Sequence, residues 1–187
     1  MCELLAMSAS QPARLTVSLR TLASHGAPDA GSPDGWGVAF YQGDDVVLYR
    51  EAAPAGDSTL VRELETGGPS TPLALSHIRR ATQGAVTLAN TQPFVRELAG
   101  RTHVFAHNGN LPGVLERTPL PASRYHPVGQ TDSERVFCDL MERLGALWNG
   151  AFVPPLQDRL SLLAAFAAEL RPLGPANFLY ADGDALF

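Results

Sequence analysis

Residues 36–52, WGVAFYQGDDVVLYREA, constrain the fold more than any other stretch. Apolar runs on either side of Gly43 read as two strands, Val38–Tyr41 and Val46–Tyr49, joined by a short turn. Strands joined that tightly run antiparallel, so the rest of the chain must pack on an antiparallel sheet. Further strands are expected at residues 1–8, at TPLALSHI (71–78), where Pro72 is tolerated near a strand start, and at RTHVFAHNGN (101–110), which runs into a tight turn. The final stretch, NFLYADGDALF, reads as a strand, an Asp-Gly turn and the first residues of another strand. A hairpin that stops there is expected to be cut short. Its open edge then calls for a second copy or a partner to cover it.

Helices are expected between these strands. RLTVSLRTLASHG (14–26) ends at Gly26, and STLVRELETGG (58–68) ends at a glycine pair. The clearest is TDSERVFCDLMERLGALW (131–148). Thr131 and Glu134 fit a capping box, and Val136, Phe137, Leu140, Met141, Leu144, Leu147 and Trp148 fall on one face. LQDRLSLLAAFAAELRP (156–172) is apolar over most of its surface, which predicts deep burial. Strands and helices together predict an α+β protein. The length of 187 residues favours one domain.

Charge and composition remove several functions. A net charge of −5 argues against nucleic-acid and anionic-membrane partners. No apolar run is long enough to span a membrane. Glu3 stands where a signal peptide needs positive charge, and Cys2 and Cys138 do not make a disulfide framework, so a cytoplasmic setting is expected. His25, His77, His103, His107 and His126 lack metal-ligand spacing, and no cofactor or metal is expected.

Several short motifs admit both chemical and plain structural readings. Behind Met1, Cys2 is either a small buried thiol or, once Met1 is removed, a nucleophile whose own α-amine serves as base. AHNGNL (106–111) is either a hairpin turn or an oxyanion hole built from the Asn108 amide and the Gly109 N–H. SHIRRATQG (76–84) is a solvated basic turn or an arginine fork for a carboxylate. In GQTDSE (129–134), Asp132 either serves the helix dipole or pairs with a substrate ammonium. Trp36 in DGWG either lines a pocket or caps the core, and NTQPF (90–94) reads as a polar turn. The Pro-rich stretch 112–130 is long for a connection, and such loops are often functional. Taken together, the chemical readings supply a nucleophile with its base, an oxyanion pair and groups for both ends of an α-amino acid, which describes glutamine or a γ-glutamyl group.

The ordered set MCELL, DGWGVAFY, SHIRRAT, NTQPF, AHNGNL, GQTDSERVF and NFLYADG resembles the class II glutamine amidotransferases, N-terminal-nucleophile hydrolases, and is closest to their small YafJ-like members. The resemblance covers essentially the whole chain as one glutamine amidotransferase type 2 domain. It implies a four-layer αββα sandwich that lacks its C-terminal strands. It also implies Cys2 as nucleophile, Asn108 and Gly109 as the oxyanion hole, Arg79 with Thr82 at the substrate α-carboxylate, and Asp132 at its α-amino group. The implied reaction is attack on the glutamine γ-amide, a γ-glutamyl thioester, ammonia release and hydrolysis. A larger γ-glutamyl conjugate as substrate, or a silent glutamine-binding module, remain as alternatives. His25-Gly26 stands where many relatives carry Arg-Gly, and Gln83 where better-known members carry histidine.

Overall fold

The computed structural model describes residues 2–16, 21–22, 24, 34–80, 84–115, 123–150 and 152–187. Its strands are β1 (Glu3–Ala13), β2 (Gly35–Gln42), β3 (Asp45–Glu51), β4 (Thr71–Arg79), β5 (Phe94–Leu98), β6 (Arg101–Gly109) and β7 (Ala176–Ala181). Its helices are α1 (Thr59–Gly67), α2 (Pro112–Leu115), α3 (Asp132–Leu147) and α4 (Leu156–Leu170). The strands form two antiparallel sheets, ordered β1-β4-β2-β3 and β5-β6-β7.

Side-chain alternation in β2 and β4 sets the layers. Trp36, Val38, Phe40, Ala74 and Ile78 point outward and pack under Val61 and Leu64 of α1. Ala39, Tyr41, Leu73 and Leu75 point inward and meet Val104 and Ala181 of the second sheet. The far side of that sheet carries Phe94, Phe105 and Tyr180, covered by Phe137, Leu140 and Leu144 of α3 and by Phe166 and Leu170 of α4. The result is an αββα sandwich. Phe105 and Phe137 stack with centroids 5.2 Å apart. A fully buried side chain of this kind contributes about 1.5–3 kcal/mol.

Local chemistry fits these elements. Ser58 caps α1 by accepting from the Val61 N–H, and Thr131 caps α3 by accepting from the Glu134 N–H at 3.2 Å. The expected capping box is only half present. The Glu134 carboxylate instead accepts from Arg96 at 2.6 Å and from the Val128 and Gly129 amides, holding the segment before α3 against β5. Pro72 lies opposite a register shift in β1, between Ser8 and Ala13, where its missing N–H breaks no regular rung.

Three features differ from expectation. β1 is longer than residues 1–8. β5, which the sequence reading leaves unassigned beyond Phe94, joins β6 through a two-residue turn in which Ala99 and Gly100 both have positive φ. α4 is not buried over most of its surface: Arg159, Leu163, Phe166 and Leu170 face inward, while Leu156 and Leu160 are exposed. Its inward arginine bonds Asp182 at 2.8 Å and Asp184 at 2.6 Å, tying the helix to the C-terminal turn. That turn begins a hairpin, in which Tyr180 and Phe187 exchange backbone bonds. The helix expected at 14–26 lies mostly outside the described residues, although Leu15 and Leu22 are buried in the outer core.

Candidate active site

The ends of β1, β4 and β6 bring Cys2, Arg79, Asn108 and Gly109 to one end of the sandwich. Glu3 pairs with Ile78, so Cys2 stands opposite Arg79 at the close of β4. Cys2 is a half-buried free thiol. Its Sγ accepts the Arg80 N–H at 3.2 Å and donates to the Arg80 carbonyl at 3.3 Å. Arg79 is only 3% exposed, so it is no solvated turn, and its Nη2 donates to the Gly84 carbonyl at 3.2 Å. By alternation, Cys2, His77 and Arg79 share the face of the first sheet that looks toward β6. His77 faces the His107 backbone across that gap, two residues from Arg79 and one from Asn108, while the His107 ring lies on the far side of β6 with Phe105.

Asn108 and Gly109 are not a turn. They are the last rungs of β6, opposite Asn177 and Ala176, and the chain runs on into α2. The ladder then decides where the Gly109 N–H points. The Asn110 N–H bonds the Pro175 carbonyl on the β7 side. N–H direction alternates along an antiparallel strand, so Phe105, His107 and Gly109 turn theirs toward β5. Phe105 faces Phe94, the first residue of β5, and the His107 N–H is taken by Oε1 of Gln92 at 2.6 Å. Nothing in β5 lies beyond that to take the Gly109 N–H. Glycine is required there by crowding: a Cβ would lie 2.0 Å from the Pro175 carbonyl oxygen and 2.6 Å from Nε2 of His107.

Asp132 begins α3 and is 6% exposed. Its Oδ2 accepts the Leu111 N–H at 2.6 Å, and its Oδ1 accepts the Ser133 N–H at 2.7 Å and the Ser133 hydroxyl at 3.3 Å. A carboxylate offers about four lone-pair directions, so one on Oδ2 is left for a further donor. Ser133 Oγ lies 2.9 Å from Nδ1 of His107. Burial, and then His107 and Arg79 nearby, push the His77 pKa down to about 3. Burial also lowers that of His107, against the pull of Asp132. Both imidazoles are neutral at pH 7.

Trp36 is a correction to the pocket expectation. It is 1% exposed on the α1 side of the first sheet, and its indole N–H donates to Glu51 at 2.8 Å. Odd residues of β2 face the second sheet, and position 36 is even, so the ring belongs to the outer core. Thr82, Gln83 and His25 lie outside the described residues. The sequence reading missed Gln92, Ser133 and the part played by His107. The only signal for them was that NTQPF and TDSE recur as blocks beside the site motifs.

Among the described residues, no three His, Cys, Asp or Glu side chains are grouped to hold a metal ion, and no helix is long and apolar enough to cross a membrane. A family model of class II glutamine amidotransferases matches residues 1–187. The Escherichia coli (strain K12) protein named "Putative glutamine amidotransferase YafJ" is 36% identical over 188 residues, covering 98% of this chain and 70% of that protein. "Uncharacterized protein MJ1515" of Methanocaldococcus jannaschii is 33% identical over 190 residues, covering 100% of this chain and 50% of that protein. A crystal structure described as a predicted glutamine amidotransferase from Pseudomonas aeruginosa PA01 superposes with a TM-score of 0.70 at 36% identity, covering 99% of this chain and 71% of that one. The glutamine phosphoribosylpyrophosphate amidotransferase of B. subtilis shares the fold at 17% identity, with a TM-score of 0.65, covering 100% of this chain and 36% of that one.

The chain belongs to the class II glutamine amidotransferases, a family of enzymes of the N-terminal-nucleophile type. It spans from 50% to 70% of the length of the curated relatives that match it end to end.

Proposed function

We propose that this chain hydrolyses the side-chain amide of glutamine, with Cys2 as nucleophile. The α-amine of Cys2, freed by loss of Met1, takes the thiol proton as sulfur attacks the amide carbon. The carbonyl oxygen becomes an oxyanion, held by the Gly109 N–H and the Asn108 side chain. The C–N bond then breaks, the α-amine returns the proton to the leaving nitrogen, and ammonia departs. A γ-glutamyl thioester remains. Water cleaves it to glutamate and restores the thiol.

Arg79 reads the substrate α-carboxylate with its planar fork, and the family resemblance assigns Thr82 to the same end of the substrate. The open lone pair of Asp132 reads the α-ammonium. No cofactor enters any step, and the setting is cytoplasmic.

The observation that supports this reading best is the Gly109 N–H. It is a backbone donor outside both flanking ladders, at the end of the sandwich where Cys2 also lies. One such preorganised donor is worth about 3–4 kcal/mol of barrier. Intact mass before and after exposure to a glutamine-like diazoketone tests the reading. Loss of one methionine mass and a single adduct on Cys2 are expected. A folded protein that takes no adduct overturns it.

A further inference from the structure

We propose that Gln92, together with the His107–Ser133 pair, positions the oxyanion donors: the Gln92 carboxamide closes β6 in place of a strand rung and leaves the Gly109 N–H as the first unpaired donor beyond it. This inference rests on the glutamine-amidase reading above and adds residues that read no part of the substrate.

Leu98 pairs with Arg101 across the two-residue turn, and paired rungs then recur at Arg96–His103 and Phe94–Phe105. The next rung on β6 is His107, and the residue due opposite is Gln92. Its backbone is not available for that rung. The Gln92 carbonyl is turned toward the first sheet, so close to β2 that a Cβ on Gly37 would lie 2.4 Å from its oxygen. The side chain substitutes. Oε1 accepts the His107 N–H at 2.6 Å, and Nε2 donates to the His107 carbonyl at 3.2 Å. The two bonds fix the peptide planes on both sides of His107, and the second plane carries the amide of Asn108. The Gln92 carboxamide ends there, so the Gly109 N–H, two residues on and on the same side, meets no acceptor from β5.

The other end of the segment is held from α3. His107 Nδ1 meets Ser133 Oγ at 2.9 Å, and Ser133 Oγ donates to Asp132 at 3.3 Å. With the proton on Nδ1 the ring donates to Ser133 and Ser133 to Asp132; with the proton on Nε2, toward the Pro175 carbonyl, the Ser133 hydroxyl donates to the ring. Asp132 accepts from Leu111 at 2.6 Å. Residues 107 and 111 are therefore both pinned, and the donors of Asn108 and Gly109 lie on the short span between them. Gln92, His107, Ser133 and Asp132 are all at least nine-tenths buried, so water does not compete for these bonds. The ring also sets the distance between the oxyanion donors and the acid assigned to the α-ammonium.

A purely structural network would predict loss of stability when it is broken. A positioning role predicts a loss in the transition state alone, because the oxyanion exists only there. The test uses the full chain with Gln92→Met, Gln92→Glu, Ser133→Ala and His107→Asn, each measured for kcat and KM with glutamine and for thermal midpoint. In folded Gln92→Met, kcat is expected to fall by about 10–100-fold with KM within about twofold of wild type. Gln92→Glu keeps the acceptor for the His107 N–H and is expected to recover part of the loss. Ser133→Ala is expected to lower kcat in the same sense. His107→Asn, whose amide reaches the Nδ1 position, is expected to stay nearer wild type. If Gln92→Met does not fold, the Ser133→Ala and His107→Asn pair carries the same test. Unchanged kcat in folded Gln92→Met or Ser133→Ala overturns the inference alone. So does a fall in kcat that merely follows the melting temperature, with no rescue by the conservative variants. A folded wild type with neither turnover nor diazoketone adduct overturns the glutamine reading and this inference with it.

Discussion

The backbone N–H of Arg80 donates to Sγ of Cys2 at 3.2 Å, and the Cys2 thiol donates to the Arg80 carbonyl at 3.3 Å. Two consecutive peptide units at the end of β4 therefore grip one sulfur atom. The bond to the carbonyl exists only while the sulfur carries its proton.

Replacing Cys2 should separate chemistry from fold. Cys2→Ala removes only the two contacts to Arg80 and a half-exposed side chain. Glutaminase turnover should disappear while the thermal midpoint stays within a few degrees of wild type. Turnover that persists in purified Cys2→Ala would reject the nucleophile assignment.

Asp132→Asn should weaken glutamine binding and also cost stability. Read from the sequence, the helix cap remains at Thr131 and the cost to the fold should be small. The structure gives Asp132 a second duty, because it accepts from Leu111 and Ser133 on different oxygens. An asparagine must point its NH2 at one of those N–H groups. About 1–3 kcal/mol of stability should be lost, read by urea denaturation, alongside a raised KM. A lower melting temperature with an unchanged KM would make the carboxylate structural alone.

Gly109→Ala should abolish turnover and lower stability together. The added methyl has no room beside the buried His107 ring and the Pro175 carbonyl, which is already held by the Asn110 N–H. β6 and β7 must part at their ends, which moves the N–H offered to the oxyanion. A loss of about 100-fold or more in kcat is expected. A folded, fully active Gly109→Ala protein would contradict this geometry.

Stability should fall on mild acidification. Burial lowers the His77 pKa to about 3 and that of His103 to about 4, the latter despite the nearby Asp182 carboxylate. Both lie below the unfolded value near 6.5. The unfolded chain then binds more protons than the native one between those limits. The contribution is complete above about pH 6.5 and shrinks as pH falls toward the folded values. Unfolding midpoints in urea, measured from pH 7.5 to 4.5, should decline. His103→Phe should make that decline shallower than in wild type, and an equal slope would count against this source.

Legibility of the fold followed local periodicity. The β2–β3 hairpin and α3 announce themselves by turn chemistry and a regular apolar face, and both stand where expected. β5 does not, because FVREL places two charged residues in five positions directly after a proline; its burial comes from α3 lying on it. α4 looked apolar all round because alanine fills its outward positions, and alanine tolerates solvent. In the site, Cys2, Arg79, Asn108 and Asp132 carry side-chain chemistry that can be read by type, and Gly109 is legible as half of the Asn-Gly pair. Gln92 cannot be read that way. Its role exists only once the β5–β6 register places it opposite His107. The inward or outward sense of Trp36 likewise depends on a strand parity that the sequence does not print.

The pairing of β1 with β4 has a consequence for the order in which the molecule comes into being. Cys2 is made well before the strand that seats it, Thr71–Arg79, which follows some seventy residues later, and Asp132 comes later still. β6 is completed on one side only by β7, at Ala176–Ala181. Contacts of such long sequence separation form late. During synthesis the surroundings of the thiol are therefore assembled only after β4, β6 and β7 have all been made.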